Sequence, residues 1–369
     1  MGAQMAVAAP RPAPSRPTAP RVSVNSLPPE LRKMLETVAR PEYLDEHGRL
    51  VGRPIVSATF KGKRYVAIGA RLLTVPPSTT FHEFLEMILV SDVLGEDWIR
   101  TEYAKGVDEQ HPVARWLFDL RQLRASLPPP VTGQVRETDA TGHALALLTL
   151  AYDVYDILHC ARLPASLVAR LKHPQEFQGA KYELAVAGLF VRAGFTIEWI
   201  DDATRRRPEF IATHKTTRER LVVEAKSRRR SGVLGRAGAP PVEAIKADLD
   251  RLLHAALQKA TDGLPYAIFI DANLPPLGVP GAPPPWIGDV QRMIERRVAS
   301  PTEPDPYVGV VVTNYSWHYA GNTAVAGQSD SLLVLPRYPR VPLRDERTIR
   351  LLFDAAQQYG FVPGRFLEE

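Results

Sequence analysis

The sequence predicts an α/β fold with a mixed sheet, preceded by a mostly helical domain that carries one β-hairpin. Three observations predict it. From Gln178 to Ala193 apolar residues recur three and four apart, and Gly194 stands where a helix C-terminus favours a left-handed residue. The segment LVVEAKS alternates as a strand does, and PEFIAT precedes it across a polar turn. YAIFIDANLPP is a near-continuous apolar run, the kind buried on both faces of a sheet.

The 369 residues suffice for two domains, or one with a large extension. Residues 1–28 form a Pro/Ala-rich stretch, read as a disordered tail without a signal-peptide core. A helix is expected over 29–40, with Pro29 near its start. PIVSATFKGKRYVAIGARLLTV reads as two strands around a turn at Lys61-Gly62-Lys63. Thr80 and Glu83 make a capping box for the helix FHEFLEMILVSDVLG, closed by Gly95. Helices follow at EDWIRTEYAKG and HPVARWLFDLRQLRASL and, beyond the break PPPVTGQVRETDATG, at HALALLTLAYDVYDILHCARL and PASLVARLKH. These define an N-terminal domain over 29–172.

The α/β domain spans 173–335. After LVVEAKS come a basic, Gly-rich loop and the helix VEAIKADLDRLLHAALQKATDG, then YAIFIDANLPP and the loop LGVPGAPPP. The helix IGDVQRMIERR and the strands YVGVVVTNYSWHYAG and SLLVLPRYP complete it. A C-terminal helical extension, 336–369, carries a helix from about Asp345 to Tyr359, stopped by Gly360.

Composition narrows the function. Hydrophobic content is 45%, ordinary for a globular chain, and no stretch gives eighteen uncharged apolar residues, so nothing is expected to span a membrane. The single cysteine, Cys160, cannot form an internal disulfide; it lies in an apolar helical run and reads as a buried thiol in a reducing, cytoplasmic compartment. His82, His111, His143 and His159 lack metal-ligand spacing and read as packed or surface imidazoles. Asp153 and Asp156, three apart on one helix, fit an acid pair, although a solvated stripe is the favoured reading. Net charge is only +5, so the arginines around the acidic strand, Arg206, Arg207, Arg228, Arg229 and Arg230 among them, are a local concentration suited to a nucleic-acid backbone, DNA before RNA. Tyr315, Trp317 and Tyr319 alternate along a strand, where packing is favoured over stacking on bases.

Carboxylates occupy unexpected places. On a helical wheel Glu183 falls in the middle of the apolar face, with Lys181 and Arg192 pointing away; a buried carboxylate must be paired, protonated or bound to a metal. Glu224 and Lys226 share a strand face. A hairpin centred between Thr216 and Thr217 places Glu209 opposite Glu224, although the Gly-free turn leaves the register free to slip. Like charges so opposed destabilise a sheet unless a divalent cation joins them. Asp271 ends the next strand, as a turn residue or an extra acid. Lys246 and Gln258, on the intervening helix, are candidates for a supporting role.

The helix with Glu183, a strand, Pro208-Glu209, fourteen residues, Glu224-Ala225-Lys226 and a further helix resemble the core of the PD-(D/E)XK nuclease superfamily, over roughly residues 175–275. The resemblance implies a restriction-endonuclease-like αβββαβ core and Mg²⁺ or Mn²⁺ as cofactor. Carried over, Glu209 and Glu224 become metal ligands, Lys226 the residue that orients or activates water, and Glu183 an auxiliary acid at the metal. Glu209 stands where the superfamily usually has Asp. The implied activity is a metal-dependent nuclease cutting DNA or RNA, in a bacterial defence or toxin setting. The alternative is an inactive nuclease-like fold that binds nucleic acid or protein. FKGKRYVAIGARL, TFHEFL, LGEDW and HPVARW resemble a segment recurring in uncharacterised bacterial proteins, which implies no activity; a homo-oligomeric or protein partner is expected through this half.

Overall fold

The structure, a computed structural model, describes residues 28–30, 32, 57–128, 138–200, 206–236, 238, 247–275, 284, 286–296, 299–325 and 330–366. The tail at 1–27, most of the helix expected over 29–40, Lys246 and most of the loop at 277–285 lie outside the described residues. No helix among the described residues is long and apolar enough to cross a membrane.

The first described elements are β1 (Ser57–Phe60), β2 (Lys63–Ile68) and β3 (Arg71–Val75), an antiparallel sheet. Lys61 (φ 48°) and Gly62 (φ 72°) both adopt the left-handed conformation that a two-residue hairpin turn requires. A second turn at Gly69 (φ 57°) adds a third strand, so the expected two-stranded hairpin is one strand short. Helix α1 (Phe81–Met87) opens on the predicted capping box: Glu83 N–H donates to the Thr80 hydroxyl (3.2 Å) and Thr80 N–H to the Glu83 carboxylate (2.8 Å). The helix does not stay α up to Gly95; Ile88–Leu94 is π-helical. Helices α2 (Glu96–Tyr103), α3 (Pro112–Ser126), α4 (Gly142–Leu158), α5 (Ala165–Lys172) and α6 (Phe177–Arg192) follow, and Gly194 (φ 87°) ends α6 as its position predicts.

The main sheet comprises β4 (Phe195–Trp199), β5 (Phe210–His214), β6 (Arg220–Ser227), β7 (Tyr266–Asp271), β8 (Gly309–Asn314) and β9 (Asp330–Val334), in that spatial order. Strands β4 to β6 form an antiparallel meander. Strands β6, β7 and β8 are parallel, joined through α7 (Leu249–Leu257) and α8 (Ile287–Glu295), and β9 is antiparallel. The mixed α/β architecture is therefore as expected. Side-chain alternation divides the sheet between two cores: Val223, Ala225, Phe269 and Val311 face the α6 side, whereas Val222, Ile268, Ile270, Val310 and Val312 meet Leu252, Leu253, Val290 and Met293 of α7 and α8. The strand expected across YVGVVVTNYSWHYAG stops at Asn314, and Trp317–Ala320 is a 3-10 turn. Tyr315 and Trp317 pack rather than face a ligand, stacking on Tyr359 at 4.0 and 5.7 Å between ring centroids. Tyr359 follows α9 (Arg347–Gln357), whose chain is stopped by Gly360 (φ 109°).

One hydrophobic core runs from Val66 to Phe366 and includes α4, α6 and α9, so packing is continuous across the boundaries expected at 172/173 and 335/336. Helix α6 lies between the sheet and α4 and is buried all round. The wheel reading of one apolar face is corrected here: Lys181 and Arg192 also point into protein. Asp153 and Asp156 are corrected likewise. Each is about 1% exposed, and each accepts a 2.7 Å hydrogen bond from Arg192. Tyr359 Oη donates to Asp153 at 2.6 Å. The two helices meet at Gly188, where an added Cβ would stand 2.5 Å from Asp153 Oδ1. Burial pushes Asp153 up to about 6 and Asp156 up to about 7, against the pull of Arg192. Cys160 is half-buried rather than buried. The histidines pack as expected: His143 Nδ1 lies 2.7 Å from Asp119, and His111 caps α3, its pKa pushed down to about 3 by burial.

Candidate functional site

A cleft of about 360 Å³ opens where β4, β5 and β6 meet helices α5 and α6. Trp199 and Ile200 leave β4 on one side, Arg207-Pro208-Glu209 lead into β5, and Ala225-Lys226-Ser227 end β6. Arg170 of α5, Gly179 and Glu183 of α6, and Arg229 and Lys259 complete the wall. The hairpin register sets the acids. Phe210 pairs with Val223 at the end of the ladder, in the register that the turn at Thr216-Thr217 requires, and Glu209 stands one residue before it. Glu209 N–H still donates to Val223 O at 2.9 Å, so the chain leaves the ladder at that residue.

The acids do not converge on one point. Glu183, predicted to sit within an apolar face, is 7% exposed, and Arg170 grips both its oxygens, one contact measuring 2.6 Å. This answers the wheel anomaly: the carboxylate is tolerated because α5 delivers a guanidinium in bidentate geometry. Burial raises its pKa, with the Arg170 hydrogen bonds opposing and the nearby Glu209 charge adding. Glu224 lies fully buried beneath the cleft floor. Its Oε1 is flanked by the Lys226 ammonium and by Lys259 Nζ at 2.9 Å, yet neither oxygen has a partner in hydrogen-bonding geometry. Burial pushes this carboxyl up to about 7, while Lys226 pulls the other way. Glu209 Oε1 accepts from Lys259 Nζ at 3.2 Å. One ammonium thus bridges Glu209 and Glu224, and burial of Lys259 is outweighed by the two acids, which raise its pKa.

Among the described residues no group of three or more His, Cys, Asp or Glu stands close enough to share a metal. Of the three carboxylates expected to share a site, Glu209 and Glu224 are bridged by the Lys259 ammonium, and Glu183 is held by Arg170. A pair still suits a hard cation such as Mg²⁺, which uses one or two carboxylates and keeps several waters. Among the described residues Oε2 of buried Glu224 has no partner, which fits the same chemistry, and the all-carboxylate donor set does not suit zinc.

The arginines separate by location. Arg207 and Arg229 line the cleft and Arg206 is exposed beside it. Arg228 binds Asp248 at 2.6 Å. Arg230 is corrected from phosphate binder to anchor: it is 6% exposed and donates to the backbone carbonyls of Ala272 (2.9 Å) and Asn273. Gln178 of α6 fixes the same loop, accepting from Arg230 N–H at 2.8 Å and donating to its carbonyl at 2.9 Å. With Arg230 held inward, Arg229 stands at the cleft. Asp271 is also turned inward, accepting from Ser227 Oγ (3.1 Å) and Asn273 N–H (3.3 Å), and does not join the acid pair. Gln258 is exposed and bonds His254; the residue that enters the site is its neighbour, Lys259.

Lys259, Arg170 and Trp199 are the cleft residues that sequence reasoning did not select. Nothing local marks the first two: a lysine just past a helix end and an arginine in a short amphipathic helix are ordinary surface features. Trp199 edges onto Phe210 (5.5 Å between centroids), and its buried Nε1–H has no acceptor among the described residues. Comparison with family models, with curated proteins and with solved structures finds no match for this chain.

Proposed function

We propose that the cleft is the active site of a divalent-metal-dependent nuclease that hydrolyses phosphodiester bonds of DNA or RNA. The observation that carries this reading is the meeting of Glu209, Glu224 and Lys226 at adjoining ends of β5 and β6, under a wall bearing Arg170, Arg207, Arg229 and Lys259. The succession α6, three antiparallel strands, α7 and a parallel strand supports a restriction-endonuclease-like core.

In this reading Glu209 and Glu224 hold Mg²⁺ or Mn²⁺. When bound, the cation would lower the pKa of a water and polarise the scissile phosphate. Lys226, partly exposed on the floor, would hold the attacking water and offset charge developing on the phosphoryl oxygens. Arg207 and Arg229 would bind flanking phosphates, fixing register without reading sequence. The test is cleavage of an oligonucleotide by the full chain with Mg²⁺ or Mn²⁺. Glu224→Ala and Lys226→Ala should each lower the rate by about 10²-fold or more while the circular dichroism spectrum stays unchanged. An unchanged rate in either variant excludes the assignment.

One observation favours a second reading, a nuclease-like module that binds without cutting: every acid at the cleft already has a cationic neighbour. Calorimetry separates the two. Metal binding that disappears in Glu209→Ala and Glu224→Ala supports the enzyme, and absence of metal binding supports the module.

A further inference from the structure

We propose that Lys259 is a built-in cation for the Glu209–Glu224 pair, so that its ammonium and a divalent metal compete for one position. The inference rests on taking that pair as the metal ligands, and it concerns how the metal gains entry.

The geometry that points to it is the bridge itself. Lys259 Nζ lies 3.2 Å from Glu209 Oε1 and 2.9 Å from Glu224 Oε1, the place between two carboxylates where a coordinated cation would stand. Lys226 does not do this; it comes from the same strand as Glu224 and pairs with that acid. Lys259 comes from a different element, two residues beyond the end of α7, and reaches in on a flexible stem. Its side chain is 10% exposed, so the charge is spent on the two acids rather than on solvent. Two like charges brought together by the β5–β6 register need a compensating cation whether or not metal is present. An ammonium in that place keeps the sheet end intact without metal, and it cannot remain there once a divalent ion arrives. The displaced Nζ is then released beside Arg207 and Arg229, where a phosphodiester anion would take it up. Metal entry would thus add one cation to the substrate-binding wall.

The experiment is titration calorimetry with Mn²⁺, and thermal melts with and without Mn²⁺, on the full chain and its Lys259→Met variant. The variant should bind Mn²⁺ at least tenfold more tightly than the parent. It should melt lower than the parent in chelator and recover most of the difference when Mn²⁺ is added. In Lys259→Met combined with Glu224→Gln both gains should vanish. If Lys259→Met does not fold, Lys259→Gln, which keeps a donor near Glu209 without the charge, is read in the same way. Mn²⁺ affinity equal to or weaker than the parent's in the folded variant overturns the proposal, as does a melt indifferent to Mn²⁺. The nuclease reading fails separately: tighter metal binding by the variant with no cleavage by the parent leaves the competition standing and removes the activity. Cleavage by the parent with no gain in the variant does the reverse.

Discussion

Two clusters of carboxylates and cations sit on different parts of α6, and they put similar chemistry to different uses. Towards its C-terminus Arg192 meets Asp153 and Asp156 in a closed interface with α4, backed by Tyr359. At its middle Glu183 meets Arg170 on the wall of an open cleft that also holds Glu209, Lys226, Lys259, Arg207 and Arg229. The closed cluster has two acids for one guanidinium. Burial therefore favours a proton on the pair, pushing Asp153 and Asp156 up to about 6 and about 7. In the open cluster each acid has a cationic neighbour: Arg170 holds Glu183, and Lys259 bridges Glu209 and Glu224. Buried ion pairs with only about 10 Å³ of space beside them fix a helix in place. The same kinds of group in the open cluster line a cleft of about 360 Å³ instead.

The largest expected effect would break the closed cluster. Arg192→Met leaves two buried aspartates without a counter-charge and should cost about 3–5 kcal/mol in urea unfolding at neutral pH. The loss should shrink in mild acid, where the aspartates protonate. A cost below that of an ordinary surface substitution would show that the cluster is not what holds α4 on α6.

A smaller effect sharpens the same point through pH. Both aspartates have folded-state pKa values above the ordinary 3.8, so between about pH 4 and pH 7 the folded protein retains protons that the unfolded chain has released. Their contribution to stability is therefore full in acid and declines as pH rises through that window. Arg192, Tyr359 and Tyr152 face the pair, with Lys181 and Lys215 adding more distant positive charge. Asp156→Asn removes one of these titrations. Its stability should fall less steeply with pH than the parent's, by up to ~1 kcal/mol per pH unit in that range, with equal or greater stability in mild alkali. A parallel pair of pH profiles would refute the assignment.

The last predictions separate the arginines at the open cleft from the one held behind it. Arg207→Ala and Arg229→Ala should each reduce the log–log salt dependence of oligonucleotide binding by about 1. Arg230→Met should do the opposite. It strips hydrogen bonds from the Ala272 and Asn273 carbonyls at about 1–3 kcal/mol of stability, with the salt slope intact. Equal salt effects at all three positions would erase the distinction.

Sequence alone determined most local elements, because their signals are local. The Thr80–Glu83 box, the α6 stop at Gly194 and the Gly360 stop each rest on contacts within a few residues. The β5–β6 register was also legible, since a short hairpin fixes pairing from its midpoint. Tertiary structure decided the partners. Arg170 reaches Glu183, Lys259 reaches both Glu209 and Glu224, Arg192 enters a second buried face of α6, and Arg230 turns inward while Arg229 does not. Hydrophobic periodicity shows which residues leave water but says nothing about which distant charge will meet them. The charge state and availability of a buried carboxylate depend on that meeting, which is set only when the sheet and its helices are packed.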